Sequence, residues 1–307
     1  VAIIFMGTPD FAVPSLRALL DEKEEVSLVV TQPDKLKGRG HVLSMPPVKE
    51  LALERGVRVV QPEKIRTPAF HAELAAYNPE FIIVVAFGRI LPADILGLPS
   101  RGCVNVHASL LPKYRGAAPI QWSVMRGDKV TGVTTMLMDE GMDTGDILLQ
   151  SAMGIDEADT AGSLFGRLAE LGAGTLVETI KGVRSGRVRP VPQTGEASSA
   201  PPLKKEDGVI DWRRPAEELA CFVRGLNPWP CAVAGLGGGS VKILRARAVP
   251  GSGEPGRVEK ASAGTLAVGT GAGLLLIEEL QPEGRKAMSA AAFLAGRRLK
   301  EGYEKFS

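Results

Sequence analysis

Residues 103–116, CVNVHASLLPKYRG, decide how the first part of this 307-residue chain is read. In a strand, successive side chains point to opposite faces, so Cys103, Asn105 and His107 share one face while Val104 and Val106 share the other. An amide and an imidazole therefore converge where the strand opens into the turn-like Ser109-Leu110-Leu111-Pro112 and then Lys113-Tyr114-Arg115-Gly116. Loops at strand ends are where α/β sheets build their sites. A lone Asn or His at a strand end is more often a satisfied structural group, so the pair gains weight only with a partner.

A source for that partner is DEGMDTGD at 139–146, a glycine-punctuated acidic loop between the strand-like runs 133–138 and 147–151. Carboxylates this close are costly to bury together, so most of them face water. One that reaches the imidazole would complete an acid/base set with an orienting group.

Outward from this stretch, short apolar runs at 1–6, 26–31, 57–61, 81–86 and 102–107 alternate with helix-compatible segments at 11–20, 48–54 and 69–77; further helices follow at 120–125 and 163–180. Alternating strands and helices predict a doubly wound, mostly parallel α/β sheet over 1–184. Residues 185–203 shift to Gly, Pro, Ser and Ala without periodicity and read as a linker. Beyond it, 204–307 combines a helix at 216–226 with short strands at 240–246, 264–268 and 274–280 between glycine clusters, which predicts a small OB-like β-barrel.

Several classes are disfavoured. The turn after the first strand reads GTPDF, without GxGxxG, and the second strand ends in Thr31-Gln32 rather than an acid, so no dinucleotide fingerprint is present. No GxxxxGK[ST] phosphate loop occurs. Cys103, Cys221 and Cys231 are widely spaced and lack CxxC spacing, which supports neither a disulfide framework nor a zinc site. With 44% hydrophobic residues, no run of membrane-spanning length and no signal-like amino terminus, the expectation is a cytoplasmic globular protein.

The net charge of +2 is unevenly spread: from Lys204 onward there are 16 Lys+Arg against 12 Asp+Glu, leaving 21 against 23 before it. Residues 33–41, PDKLKGRGH, carry Lys35, Lys37 and Arg39 among glycines, with Leu36 as the one apolar anchor. This composition predicts a mobile basic loop beside the sheet's carboxyl end, suited to a polyanionic partner.

Together these motifs resemble the methionyl-tRNA formyltransferases. The resemblance rests on FMGTPDFA at 5–12, TQPDKLKGRG at 31–40, VVAFGRILP at 84–92, NVHASLLPKYRGAAPIQ at 105–121 and DEGMDTGDIL at 139–148. It continues with KEDGVIDW at 205–212, NPWP at 227–230 and GRKAMSA at 284–290. The Asn-x-His, SLLP and Asp-x-Gly-x-Asp-Thr-Gly patterns are similar to those shared by formyltetrahydrofolate-using transferases; the basic TQPD…GRG segment and the NPWP-bearing second domain point to a tRNA acceptor. Ser199 stands where the family commonly has a tyrosine.

The resemblance implies a Rossmann-like formyltransferase domain followed by an OB-like tRNA-binding domain. It further implies formyl transfer from 10-formyltetrahydrofolate to the α-amino group of methionyl initiator tRNA, without a metal, and the expected state is a monomer. Asn105 would donate to the tetrahedral oxyanion, His107 would take or guide a proton, and Asp143 would fix the imidazole or hold a proton-carrying water. Which of His107 and Asp143 takes the first proton is left open by spacing. Phe87, Gly88, Ile90 and Leu91, with Ser109, Leu110, Leu111 and Pro112, are the expected folate cleft, and Lys35, Lys37 and Arg39 the expected tRNA contacts.

Overall fold

The run IIFMG at Ile3–Gly7 (β1) is buried at all five positions, as befits a strand covered on both faces. The computed structural model describes residues 1–37, 42–262, 264–297 and 299–307, and the chain divides into two compact units. The first comprises Val1–Gly116, Thr131–Met153 and Phe165–Ser199; the second comprises Ala117–Val130, Gly154–Leu164 and Ala200–Ser307.

In chain order the first unit runs α1 (Val13–Asp21), β2 (Val26–Val30), β3 (Lys35–Lys37), β4 (Val42–Ser44), α2 (Pro47–Glu54), β5 (Val59–Val60) and α3 (Pro68–Ala75). It continues with β6 (Phe81–Val85), α4 (Ala93–Leu96) and β7 (Cys103–His107). After α5 (Pro119–Met125) come β8 (Val130–Leu137), β9 (Ile147–Gly154) and the long α6 (Ala161–Arg184). The sheet order is β5-β2-β1-β6-β7-β8-β9. β1 pairs in parallel with β2 and β6, and β6 in parallel with β7, so the mostly parallel α/β sheet expected from the alternation is present.

Strand order reverses between β1 and β6, which makes their carboxyl ends a topological switch point, the position where such sheets open a crevice. The core below it gathers Ile4, Met6, Leu28, Val30, Ile82, Val84, Phe87, Leu91, Ile95 and Cys103. Burial in this setting pushes the Cys103 thiol up to about 12, so it remains a protonated core group. At the sheet's other end, buried Glu80 is held by Arg101 at 2.8 Å and Arg184 at 2.8 Å, which gives a carboxylate in the interior the partners it requires.

Within 33–41, composition alone suggests a mobile loop, yet β3 and β4 pair antiparallel through Lys35↔Ser44, Leu36↔Leu43 and Lys37↔Val42. Backbone pairing supplies an order that side-chain composition does not encode. Residues 38–41, including Arg39, lie outside the described residues.

In the second unit, α5 packs with α7 (Ala216–Leu226) so closely that a Cβ on Gly225 would meet the Gln121 carbonyl at 2.9 Å. Then follow β10 (Ala232–Leu236), β11 (Gly239–Val249), β12 (Val258–Ser262), β13 (Thr265–Gly269), β14 (Leu274–Pro282), β15 (Met288–Ser289) and α8 (Ala290–Gly296). They form an antiparallel sheet of order β10-β11-β14-β13-β12. The carboxyl tail joins its two ends. Gly235 and Ser307 exchange backbone hydrogen bonds at 2.7 and 3.0 Å, while Phe306 N–H donates to the Gly256 carbonyl at 2.7 Å and Val258 N–H to the Glu304 carbonyl at 2.9 Å. Both edges are thereby satisfied, giving the barrel-like closure that short glycine-separated strands suggested.

The tail is anchored by Phe306, which is fully buried beside Trp212 with ring centroids 5.6 Å apart. Phe306→Ala is expected to destabilise the second unit by about 3–5 kcal/mol, measured by denaturant unfolding of the full chain.

Candidate active site

β7 carries the pattern from which the site is built. It pairs in parallel with β6 through Val84↔Asn105 and antiparallel with β8 through Asn105↔Met136 and His107↔Thr134. β8 runs antiparallel to β7 and ends at Leu137, opposite Val104, where the acidic loop 138–146 begins. Leu137 N–H accordingly donates to the Asp146 carbonyl at 2.9 Å, and Met138 N–H to the Cys103 carbonyl at 2.8 Å.

His107 is only 6% exposed. Its Nε2 lies 2.9 Å from the Tyr114 carbonyl. A carbonyl only accepts, so this bond places a hydrogen on Nε2 and leaves Nδ1 as the ring atom free to gain or lose a proton. Nδ1 faces Asp143 Oδ2 at 3.6 Å, an ion-pair separation too long for a direct hydrogen bond. That same Oδ2 accepts from Gly116 N–H at 2.8 Å, which ties the acidic loop to the loop after β7.

The loop after β7 is internally stapled. Ser109 Oγ donates to the Lys113 carbonyl at 2.6 Å, Thr134 Oγ1 donates to the Ser109 carbonyl at 2.7 Å, and Gln150 Nε2 donates to the Leu111 carbonyl at 2.9 Å. Tyr114 and Asp143 adopt left-handed backbone at φ 62° and 55°. Each costs on the order of 1 kcal/mol and persists because its surroundings hold it. In the acidic loop, a Cβ on Gly145 would collide with the Leu137 carbonyl, so only glycine fits.

Asn105 is half-buried on the same face as His107. Among the described residues no hydrogen bond engages its side-chain amide, which leaves both amide hydrogens available as donors. The structure thus brings His107 and Asp143 together and places Asn105 on the same face of β7 as His107.

The residues expected around a folate ring divide sharply. Phe87, Leu91, Ser109 and Leu111 are buried, Phe87 and Leu91 within the core below the sheet's carboxyl end. Leu110 and Pro112 are half-buried, and Gly88 and Ile90 are exposed. The Phe87 carbonyl accepts from Gln32 Nε2 at 2.9 Å, while Gln32 N–H donates to Thr8 Oγ1 at 3.3 Å. Gln32 therefore spans the two sides of the switch point.

Lys35 is exposed, with Nζ 3.4 Å from Gln32 Oε1. Asp34, at the root of the β3–β4 hairpin, accepts from Lys49 Nζ at 2.8 Å and from Gln61 Nε2 at 2.7 Å. Hydrogen bonds first from Lys49 and then from Gln61 hold its carboxyl below the usual carboxylate range. The hairpin root is thereby tied to α2 and to the segment after β5 rather than hanging free.

Sequence reasoning missed Gln193 and Ser198. Both lie in the segment read as a linker, yet Ser198 Oγ accepts from Tyr114 N–H at 2.9 Å and the Ser198 carbonyl from Arg115 N–H at 2.8 Å. Gln193 contacts both the Arg115 side chain and the acidic loop. Polar residues in a Pro- and Gly-rich stretch carry no periodic signal, so neither could have been singled out. Thr134 was equally hidden, as one threonine among several in an apolar strand. Among the described residues no group of three or more His, Cys, Asp or Glu is arranged to hold a metal, and no helix is long and apolar enough to cross a membrane.

Comparison with known proteins places the chain in a family. Residues 1–180 match the family model for formyl transferase, and residues 202–298 match that for the formyl transferase C-terminal domain. The chain is 52% identical over 305 residues to methionyl-tRNA formyltransferase of Thermodesulfovibrio yellowstonii, covering 99% of both chains. It is 50% identical over 305 residues to that of Myxococcus xanthus, covering 99% of this chain and 97% of the other. Among solved structures, the fold is shared with the sugar 3N-formyl transferase WlaRD, at TM-score 0.70 and 19% identity, covering 93% of this chain and 99% of that one. It is shared also with methionyl-tRNA formyltransferase from Clostridium thermocellum, at TM-score 0.56 and 21% identity over 80% of this chain and 92% of that one. Near-full-length identity of about half, with a family model matched in each part of the chain, means that the chain belongs to the methionyl-tRNA formyltransferase family.

Proposed function

We propose that this chain transfers the formyl group of 10-formyltetrahydrofolate to the α-amino group of methionyl initiator tRNA. The observation that carries this reading is the His107–Asp143 pair beside the uncommitted amide of Asn105, at the carboxyl end of a parallel strand. The amine attacks the formyl carbon and generates a tetrahedral oxyanion, to which Asn105 donates. The attacking nitrogen gives up a proton to the His107–Asp143 pair. With Nε2 committed to the Tyr114 carbonyl, Nδ1 is the ring atom that receives it, directly or through a water shared with Asp143. The carbon–nitrogen bond to folate then breaks, its electron pair remains on the folate nitrogen, and that nitrogen takes a proton back from the pair.

The folate ring lies against the carboxyl ends of β1, β6 and β7, where Gly88, Ile90, Leu110 and Pro112 present accessible surface and Phe87 backs them from the core. Along the sequence, the division of labour is catalysis in 1–184, connection through 185–203 and tRNA binding by 204–307. Lys35, Lys37 and Arg39 supply phosphate contacts from the first domain, and the positive balance of the second widens the footprint. The protein works as a monomer in the cytoplasm.

The acceptor is tested by assaying formylation of charged initiator tRNA against nucleotide-sugar amines; transfer to the sugar and not to the tRNA would overturn the reading. Asn105→Ala and His107→Ala are each expected to lower kcat about a hundredfold or more while largely preserving tRNA affinity, as measured by steady-state kinetics and filter binding. Arg39→Ala is expected to raise KM for charged tRNA and flatten its salt dependence, with folate binding by calorimetry unchanged.

A further inference from the structure

The Gln193 side chain grips both loops holding the His107–Asp143 pair. Its Nε2 donates to the Asp143 carbonyl at 2.9 Å and to the Gly145 carbonyl at 2.8 Å. Its Oε1 accepts from Arg115 Nη2 at 2.7 Å and Nε at 3.2 Å. Arg115 sits between Tyr114, whose carbonyl pins His107 Nε2, and Gly116, whose N–H holds Asp143 Oδ2. The amide thus uses both donor hydrogens on the acidic loop and its acceptor on the loop after β7.

The surrounding chain supports that grip. Val191 exchanges backbone hydrogen bonds with Ile147 at 2.8 and 2.9 Å, and Ser198 bonds Tyr114 and Arg115. Residues 191–199 are therefore strapped across the two loops, although their composition reads as a spacer. The anchoring matters because Asp143 stands in left-handed backbone at φ 55°, where small rotations swing its carboxylate relative to Nδ1 of His107.

We infer that Gln193 is a positioning residue for formyl transfer: it sets the separation and angle between His107 and Asp143 without touching substrate. This rests on the assignment of His107 and Asp143 as the proton-handling pair. The chemistry of an amide makes the inference specific, since it must donate on one side and accept on the other. A glutamate could still hold Arg115 but would face the Asp143 and Gly145 carbonyls with oxygen, whereas alanine would release both loops.

The test compares Gln193→Glu, Gln193→Ala and the exposed control Glu196→Ala in the full-length protein, with His107→Ala and Asp143→Asn alongside. Both Gln193 variants are expected to lose about ten- to a hundredfold in kcat, to shift the pH–rate profile and to leave KM for the folate within a few-fold; Glu196→Ala should match the parent. Gln193→Glu matching the parent while Gln193→Ala falls would overturn the inference, because anchoring Arg115 would then suffice. Nitrogen-15 NMR of the imidazoles gives a readout independent of turnover and is tractable with three histidines in the chain. The hydrogen-bonded Nε2–H of His107 should broaden or shift in both Gln193 variants, and unchanged imidazole signals in folded variants would overturn the inference. If His107→Ala and Asp143→Asn retain activity, the assignment of the pair fails instead, and the two failures remain distinct.

Discussion

The hydrogen bond between His107 Nε2 and the Tyr114 carbonyl is the constraint on which the site depends. It forces one tautomer, because a carbonyl has no hydrogen to give, and so reserves Nδ1 for the side of the ring that faces Asp143. A main-chain acceptor is effective here only if the loop bearing it is rigid. The staples from Ser109, Thr134 and Gln150, together with the left-handed turn at Tyr114, provide that rigidity. The apolar strand locates the imidazole; the loop decides what the imidazole can do.

A second consequence follows from strand direction. Because β8 runs antiparallel to β7, its last residue Leu137 lies opposite Val104, toward the amino end of β7, so DEGMDTGD starts from that end and the loop itself carries Asp143 back to His107. Antiparallel pairing with His107↔Thr134 and Val104↔Leu137 sets the register. Gly145 lets the loop fold against the Leu137 carbonyl, and Gly116 presents its N–H to Asp143 at φ 125°. The carboxylate is thereby pointed by backbone rather than by a long flexible side chain, which lowers the entropy lost in holding it.

The TQPD segment illustrates a different economy. Gln32 reaches the Phe87 carbonyl across the switch point, and Asp34 is fixed by Lys49 and Gln61. β3, which carries Lys35 and Lys37, thus grows from a root joined to the same crevice that the folate is proposed to occupy. A polar cluster of this kind satisfies groups at a sheet end where main chain would otherwise lack partners, and it couples the hairpin root to the sheet.

Much of the fold was legible in the chain itself. Buried strands such as IIFMG and FIIVV are continuous apolar runs because both faces are covered, and alternation in CVNVH placed Asn105 and His107 on one face. Local patterns also marked the two domains and the acidic loop. Elements too short or too polar to show periodicity, α4 at Ala93–Leu96 and β12 at Val258–Ser262, did not emerge. Spacing left open which acidic residue meets the imidazole; the family resemblance named Asp143, and the structure sets it 3.6 Å from Nδ1. Tertiary structure alone decided that Phe87 and Leu91 belong to the core and that the supposed linker lies across the loops of the site. Each is a long-range contact whose partners are dozens of residues apart. Sequence periodicity reports which face a residue occupies within its own element, whereas what lies opposite that face is set by how the elements pack.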